Sequence, residues 1–376
     1  MIWIALIWPV FFGLISLIFF NRRVTPKEAG TLLLIPLVGV LAADRYGKRL
    51  VTKDVEYWGG AVKSAVYSEP WNQKTKCRHK SECIHMDEKG KPKHSDDGPS
   101  HEFDIEEHKA SYFAYDTNGE KIPIDAKRFA ELCSLFKNRK FKDMHRRFHT
   151  KDGDRYVTTW GGQMDRLEPT TTAHQYENKI LGSRSTYHYN EVDPTKWGLF
   201  DYPEIKEFYR APAILGMKDE DASRRLDILN AQLGPQLELR AMILVFVGKP
   251  RDAAFDQEAY WMGGNKNEFV ICIGTDDDRR VQWAHVFSWT KVEALKIEAR
   301  NEVMNQVDKP LDLSKVVTWM ARNMQRFERK SFSEFDYLHV DPPLWVVLAT
   351  HAATIVFTAL WLWLAVVIPN RKSSRK

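Results

Sequence analysis

Residues 344–368 read LWVVLATHAATIVFTALWLWLAVVI, a stretch without a charged side chain. A second uncharged stretch, IWIALIWPVFFGLISLIFF, covers residues 2–20. At about 1.5 Å per residue, a helix of either length can cross a hydrocarbon core of about 30 Å. A buried helix of a soluble domain usually carries a polar stripe, so that alternative is disfavoured. Both ends of the chain are therefore predicted to be transmembrane helices.

The first apolar stretch could instead be a cleaved signal peptide. Signal peptides open with a basic region and close on small residues. This chain opens with Met-Ile-Trp, and its apolar stretch closes on Phe19 and Phe20. We therefore interpret residues 2–20 as a retained membrane anchor.

A third apolar run, residues 29–43, leaves the topology open. It is short and contains Pro36, so it fits a short span, a re-entrant segment or a helix in the interface. Basic residues favour three spans, with the N-terminus and the polar domain outside the cytoplasm and the C-terminal tail inside. The cytoplasmic set would be Arg22, Arg23, Lys27, Arg371, Lys372, Arg375 and Lys376. Four basic residues argue against this orientation because they would lie outside the cytoplasm, namely Arg45, Lys48, Arg49 and Lys53.

The chain as a whole is predicted to be a membrane-anchored α+β protein. Residues 1–43 form the transmembrane region, and residues 342–376 form the last helix with its basic tail. Between them, residues 44–190 are β-rich, with a polar loop or hairpin at 72–98. Residues 191–341 show an α/β pattern, in the order α-β-α-β-β-α-α from residue 219 onward. That order predicts a sheet of three or four strands covered by helices.

Several boundaries follow from local signals. Apolar residues on one face predict a helix over 126–136. A helix over 224–233 is expected to stop at the Gly234-Pro235 pair. Thr290 is expected to cap a helix that runs to about residue 307. A further helix over 313–329 leads through a short connection into the last span. If the helical run over 290–329 and this span pack as a continuous stalk, their lateral faces are free, which predicts a homo-oligomer.

Charge and composition restrict the partners. The formal net charge of +5 is small for 376 residues and does not indicate nucleic-acid binding. The basic residues beside the apolar segments favour contact with anionic lipid head groups. The expected partners are therefore the bilayer and either a second copy or an envelope protein, and no cofactor is expected.

The strongest candidate for site chemistry is the segment Cys77-Arg-His79-Lys-Ser-Glu-Cys83-Ile-His85. Two thiols and two imidazoles can supply four zinc ligands. The same cysteines can close a disulfide loop at a hairpin tip, and an extracytoplasmic position favours this interpretation over zinc and over free thiols. Neither spacing is diagnostic. The other two cysteines, Cys133 and Cys272, lie on predicted apolar faces and are expected in the core.

No complete catalytic motif is present in the sequence, so no catalytic or cofactor-binding residue is assigned. His285 lies among apolar residues of a predicted strand. There we expect a hydrogen-bonded core or interfacial histidine and not a metal ligand.

Five stretches together resemble a known group of proteins. They are DVEYWGGAVKSAVYSEPWN (54–72), EPTTTAHQYENKI (168–180), NEVDPTKWGLFDYPEI (190–205), AYWMGGNKNEFVICIG (259–274) and VQWAHVFSW (281–289). They resemble uncharacterised membrane proteins encoded by tailed bacteriophages and some bacteria. The resemblance covers roughly residues 54–289 and includes cysteines at the positions of Cys77 and Cys83. It implies a bacterial-envelope setting, and no functional residue can be carried over.

Two classes of function follow from these observations. The first is a non-enzymatic envelope protein whose anchored domain has a structural role or binds a partner. The second is an extracytoplasmic enzyme, with a metal held by the Cys/His-rich loop. Since the sequence holds no complete catalytic motif, the first class is favoured.

Overall fold

A computed structural model describes residues 1–19, 26–76, 102–144, 153–183, 189–206 and 209–364. The chain forms two compact units. The helical unit consists of Met1–Glu56, Gln175–His188 and Lys330–Lys376. The polar unit consists of Tyr57–His174 and Tyr189–Arg329.

Three long helices form the helical unit. They are α1 (Ile7–Phe19), which follows a 3-10 turn at Ile2–Leu6, α2 (Pro26–Thr52) and α9 (Leu344–Leu362). The short helix α4 (Lys179–Gly182) belongs to the same unit. Within the part of the chain that the structure describes, three segments are long and apolar enough to cross a membrane, namely Ile2–Phe19, Ala29–Thr52 and Leu344–Leu362. The third apolar run of the sequence is thus part of a much longer helix, which continues through Pro36.

Packing among these helices defines their directions. Ile2 lies in one apolar cluster with Val40 of α2 and Val346 of α9. Further along, Gly13 of α1 faces the Leu32 side chain of α2. The contact on α2 moves back from Val40 to Leu32 as the chain advances from Ile2 to Gly13, so α2 runs antiparallel to α1. The start of α9 packs beside the end of α2, because a Cβ on Gly47 would lie 2.6 Å from the Pro342 side chain.

The first sheet of the polar unit has six strands. Its strands are β1 (Lys53–Ser68), β4 (Ser111–Asp116), β5 (Lys121–Pro123), β6 (Lys140–Lys142), β7 (Arg155–Thr159) and β8 (Pro169–Glu177). They lie in the order β5-β4-β1-β7-β6, and β8 also pairs with β1. Helix α3 (Ala126–Phe136) packs on one face through Phe129, Leu132 and Phe136. Its bounds confirm the helix that the apolar spacing predicts.

A separate two-stranded ribbon pairs β2 (Trp71–Lys76) with β3 (Glu102–His108). The sequence prediction placed residues 72–76 at the start of a loop or hairpin. They form a strand that is antiparallel to β3.

The second sheet has four strands in the order β12-β11-β10-β9. These strands are β9 (Ile214–Leu215), β10 (Arg240–Val247), β11 (Glu268–Thr275) and β12 (Val281–Ser288). Strands β9, β10 and β11 are parallel, and β12 returns antiparallel to β11. This confirms the predicted small sheet and its terminal hairpin. Both β10 and β11 are buried along nearly their whole length, as expected for strands covered on both faces.

Helices cover both faces of this sheet. One face holds α5 (Glu220–Leu237), α7 (Glu293–Met304) and α8 (Leu313–Asn323), and the other holds α6 (Asp252–Tyr260). The connection from β9 to β10 passes through α5, and that from β10 to β11 passes through α6. Strands β9, β10 and β11 lie side by side in this order, so both connections move in the same direction across the sheet. They cross over opposite faces, so the two crossovers have opposite handedness. One of them is therefore the uncommon left-handed form.

Helix α5 does not stop at Gly234-Pro235 but continues to Leu237. Pro235 cannot donate a backbone hydrogen bond within the helix. The extra turn packs the half-buried Leu237 against the core beside Leu233, and the N–H of Glu238, in the left-handed conformation, donates to the Gly234 carbonyl at 2.8 Å. Burial of these leucines offsets the lost bond.

The two predictions for the last helices also differ from the structure. Helix α7 begins at Glu293, later than predicted. The buried Thr290 hydroxyl accepts the Val292 N–H at 3.1 Å and donates to the Glu328 carbonyl at 3.2 Å, so it ties the start of the helix to a neighbouring segment. Helix α8 ends at Asn323, and a 3-10 turn follows at Met324–Arg326. Met324 and Phe327 enter the core there, which turns the chain. The predicted helix over residues 313–329 is therefore too long, and its packing with the last span as a stalk stays a prediction.

Candidate functional site

Three tyrosines from adjacent strands form a ladder on one face of the first sheet. Tyr67 of β1 is the register partner of Tyr112 on β4 and of Tyr156 on β7. The Tyr67 and Tyr112 ring centroids are 4.6 Å apart at 13°, and those of Tyr67 and Tyr156 are 5.8 Å apart at 15°. Each ring therefore stacks on its neighbour, with Tyr67 in the middle.

Helix α3 covers the ladder with small side chains. It begins at the cap residue Asp125, whose carboxylate accepts the Arg128 N–H at 2.6 Å. Ala126 and Ala130 line a space above the tyrosines, next to the buried Phe129 ring. A larger side chain at either alanine would fill this space, so the small residues of α3 create the pocket.

The turn after α3 places a positive charge at the rim of the pocket. Lys137 adopts a left-handed conformation with φ of 54°, which ends the helix. Asn138 then locks the turn to β7, because its side chain donates to the Thr159 carbonyl at 2.7 Å and accepts the Thr159 N–H at 2.9 Å. The next residue, Arg139, lies with its guanidinium carbon 4.3 Å from the Tyr156 ring centroid.

Cys133 lines the same pocket on the helical side. Its side chain is partly exposed. Burial raises the pKa of this thiol, while the charge of Arg139 and a hydrogen bond with Thr158 act in the opposite direction. The thiol is therefore accessible but mostly protonated at neutral pH.

These residues line a partly open pocket of about 360 Å³. Its lining consists of Tyr67, Tyr112, Ala126, Phe129, Ala130, Cys133 and Arg139. Aromatic walls with one charged group are typical of small-molecule sites, and this volume lies at the lower end of the usual range of about 300–1,000 Å³. The arrangement can bind an apolar group and orient it by one charge.

The residues predicted from the sequence as a disulfide or zinc site do not contribute to this pocket. Cys77, His79, Cys83 and His85 lie outside the described residues, so the disulfide and the zinc site remain predictions. Among the described residues, no group of His, Cys, Asp or Glu is arranged to hold a metal ion. Of the two cysteines expected in the core, Cys272 is fully buried, whereas Cys133 is not.

His285 has a carboxylate partner. Its Nε2 lies 2.7 Å from Oε2 of Glu258 on α6, and the Tyr189 hydroxyl donates to the other carboxylate oxygen at 3.3 Å. The predicted hydrogen-bonded histidine is therefore observed, at a half-buried position. The sequence did not identify Glu258, because it lies on another element.

A buried polar network stands at the amino ends of β10 and β11. The Arg240 guanidinium, 1% exposed, donates to the Ala211 carbonyl at 2.9 Å. The Glu268 carboxylate accepts from the Tyr202 hydroxyl and from the Asn265 N–H. Burial raises the pKa of Glu268 and raises that of Tyr202 well above its usual value. These contacts tie three chain segments together, which indicates a structural role.

A second cavity, of about 420 Å³, lies between α2 and α9. Its walls are almost entirely apolar and include small residues on both helices, such as Gly39, Ala43, Ala349 and Ala353. It lacks a charged residue, so it offers no means of orienting a polar ligand. We therefore take the tyrosine-lined pocket as the candidate site.

No family model, no curated protein and no solved structure matches the chain.

Sequence reasoning missed the pocket residues. Tyr67, Tyr112 and Tyr156 lie on separate strands, and only the pairing register brings them together. One local signal was available, namely the small side chains at Ala126, Ala130 and Cys133 on one face of a confidently predicted helix. A helix face with little volume over a sheet leaves space for a ligand.

Proposed function

We propose that this chain is a non-enzymatic, membrane-anchored envelope protein of a bacterium or a bacteriophage, and that its polar unit binds a partner or ligand. The observation that carries the proposal is the apolar outer surface of the helical unit. The expected partners are the lipid bilayer and either a second copy or another envelope protein, and not nucleic acid.

The outer faces of the three long helices carry large apolar side chains. Ile18 on α1 is 68% exposed, Leu34 on α2 is 60% exposed and Val356 on α9 is 64% exposed. Monomeric soluble proteins rarely expose contiguous apolar patches of more than a few hundred Å². A surface of this kind on three helices of membrane-spanning length supports a position in a bilayer.

The charge distribution supports one orientation. With three crossings, the loop after α1 and the C-terminal tail lie on the same side, and both carry basic residues. The positive-inside rule places that side in the cytoplasm. The N-terminus and the residues that follow α2 then lie outside, where the polar unit can meet an envelope partner.

The tyrosine-lined pocket supports the binding role. Its walls come from fixed elements, since the Asn138 side chain holds the turn after α3 against β7. Its one charged side chain, Arg139, is exposed at the rim. Pre-formed pockets with few polar groups are the usual design of binding sites.

Two lysine substitutions test the membrane position. Val356→Lys places a charge near the middle of α9, on an exposed apolar face. In a bilayer this costs about 2.5–3.5 kcal/mol, so the variant reconstituted in lipid nanodiscs should show a lower thermal unfolding midpoint. The matched control is Tyr337→Lys, at a site that is 80% exposed and precedes α9. It should leave the midpoint almost unchanged.

If α9 faces water, both lysine variants will behave alike. An unchanged midpoint for Val356→Lys, together with release of the wild-type chain from membranes by alkaline carbonate, would contradict the proposal.

A further inference from the structure

We infer that the tyrosine-lined pocket selects a small planar aromatic carboxylate, with Arg139 as the selecting residue. This inference rests on the proposed binding function and specifies its ligand class.

The shape of the pocket favours a flat apolar body. Tyr67 is stacked on both sides, by Tyr112 and by Tyr156, so it can offer the cavity only its edge and its hydroxyl. The Phe129 ring is tilted at 56° to both Tyr67 and Tyr112. Aromatic edges carry partial positive charge and attract the negative face of another ring. An aromatic ligand is therefore favoured over an aliphatic one of the same size.

The charge of the pocket favours an anion. Arg139 is exposed, and none of the ion pairs among the described residues involves it. Its guanidinium is held over the Tyr156 ring, which limits its freedom and leaves its N–H groups for a ligand. A guanidinium matches a carboxylate through two parallel hydrogen bonds.

A negative charge acts on the hydroxyl end of Tyr67. Burial is the largest cause that raises the pKa of this hydroxyl, followed by the neighbouring Tyr112 and then by the charge of Glu69. A ligand carboxylate is therefore attracted towards Arg139 and disfavoured at the hydroxyl end of Tyr67.

The size of the pocket favours a small ligand. A volume of about 360 Å³ accepts one ring system of one or two fused rings with its carboxylate. The exposed residues Ala126 and Ala130 line this partly open volume, together with the half-buried Cys133.

Cys133 supplies a reporter that is specific to the pocket. The probes are 2-naphthoate and its neutral counterpart 2-naphthylmethanol, added to the full-length protein in nanodiscs at measured free concentrations. The readout is the rate of Cys133 alkylation by N-ethylmaleimide, followed by peptide mass spectrometry. Cys272, which is fully buried, is the internal control in the same sample.

We expect 2-naphthoate to halve the alkylation rate of Cys133 at a free concentration about tenfold lower than the concentration of 2-naphthylmethanol that does so. One charge-assisted hydrogen bond provides a difference of this size. Arg139→Gln should abolish this preference. Each variant is compared with and without ligand, because loss of the Arg139 charge itself changes Cys133 reactivity. The matched control is Arg251→Gln, which removes an arginine 5.4 Å from the Phe255 ring, outside the pocket. It should leave the preference intact.

Equal protection by the two probes, or a preference that survives Arg139→Gln, would overturn the inference and leave pocket binding in place. Protection by neither probe would overturn both the ligand class and the pocket. The membrane position would be unaffected by that result, since the lysine variants test it independently.

Discussion

The buried carboxylate Glu168 and the half-buried Asp227 of the polar unit differ in how well their charges are compensated. Glu168, 6% exposed, accepts hydrogen bonds from both Arg128 and Arg210. Two arginines on one carboxylate offset the cost of burying it. Asp227 on α5 is compensated less completely. Burial raises its pKa to about 6, although the charges of Arg210 and Arg240 act in the opposite direction.

The raised pKa of Asp227 makes stability depend on pH. The carboxyl holds its proton more tightly in the folded chain than in the unfolded chain, whose value is 3.8. Its stabilising contribution is complete below pH 3.8 and is lost as the pH rises through about 6. Asp227→Asn should therefore stabilise the fold at pH 8 by up to about 3 kcal/mol and have little effect at pH 4.

Urea unfolding of the detergent-solubilised chain at both pH values measures this effect. The control is Asp221→Asn on the same helix, whose side chain is 74% exposed. It should change stability by less than about 0.5 kcal/mol at either pH. An Asp227→Asn variant that is no more stable than wild type at pH 8 would contradict the assignment.

At the scale of elements, two glycines allow a strand and a helix to touch. A Cβ on Gly234 of α5 would lie 2.2 Å from the Gly59 carbonyl oxygen, and a Cβ on Gly59 of β1 would lie 2.2 Å from the Asn230 carbonyl oxygen. The nearest atoms in both cases are backbone atoms, and they cannot move aside as a flexible side chain can.

Gly234→Ala should accordingly destabilise the polar unit. Alanine raises helix propensity by about 1 kcal/mol, but the backbone clash costs more, so we expect a net loss of about 2 kcal/mol. The denaturation midpoint, followed by tryptophan fluorescence, measures it. Gln236→Ala in the same turn is exposed and should be neutral or slightly stabilising. Equal midpoints for the two variants would show that the contact between α5 and β1 is looser than described.

At the scale of the whole molecule, membrane orientation and cysteine oxidation are linked predictions. An extracytoplasmic polar unit places Cys77 and Cys83 in an oxidising compartment, where two thiols this close should form a disulfide. Cys272 is buried, and burial raises the pKa of its thiol well above the usual value, so it should stay reduced. Cys133 has no disulfide partner among the described residues.

Alkylation of the unfolded, unreduced chain should therefore label only Cys133 and Cys272. Prior reduction should add Cys77 and Cys83. Labelling of all four without reduction would rule out the disulfide and count against an extracytoplasmic polar unit. In that case, about one zinc ion per chain, lost on Cys77→Ser and Cys83→Ser, would identify the alternative site.

The sequence by itself determined the features that depend on local pattern. Long uncharged runs predict helices of membrane-spanning length, because length and hydropathy alone identify such helices. The spacing of Phe129, Leu132 and Phe136 predicted α3, since a helix repeats its faces every 3.6 residues. The hairpin of β11 and β12 was likewise visible, because its strands are separated only by a short polar turn.

The tertiary structure alone decided what depends on partners distant in sequence. Helix α5 passes through Gly234-Pro235 because burial of Leu237 outweighs the local stop signal. The candidate pocket exists because strand register aligns Tyr67 with Tyr112 and Tyr156. The sequence of a strand specifies which of its residues share a face. It does not specify which residue of a distant strand becomes the register partner, because the packing of the whole unit sets that register.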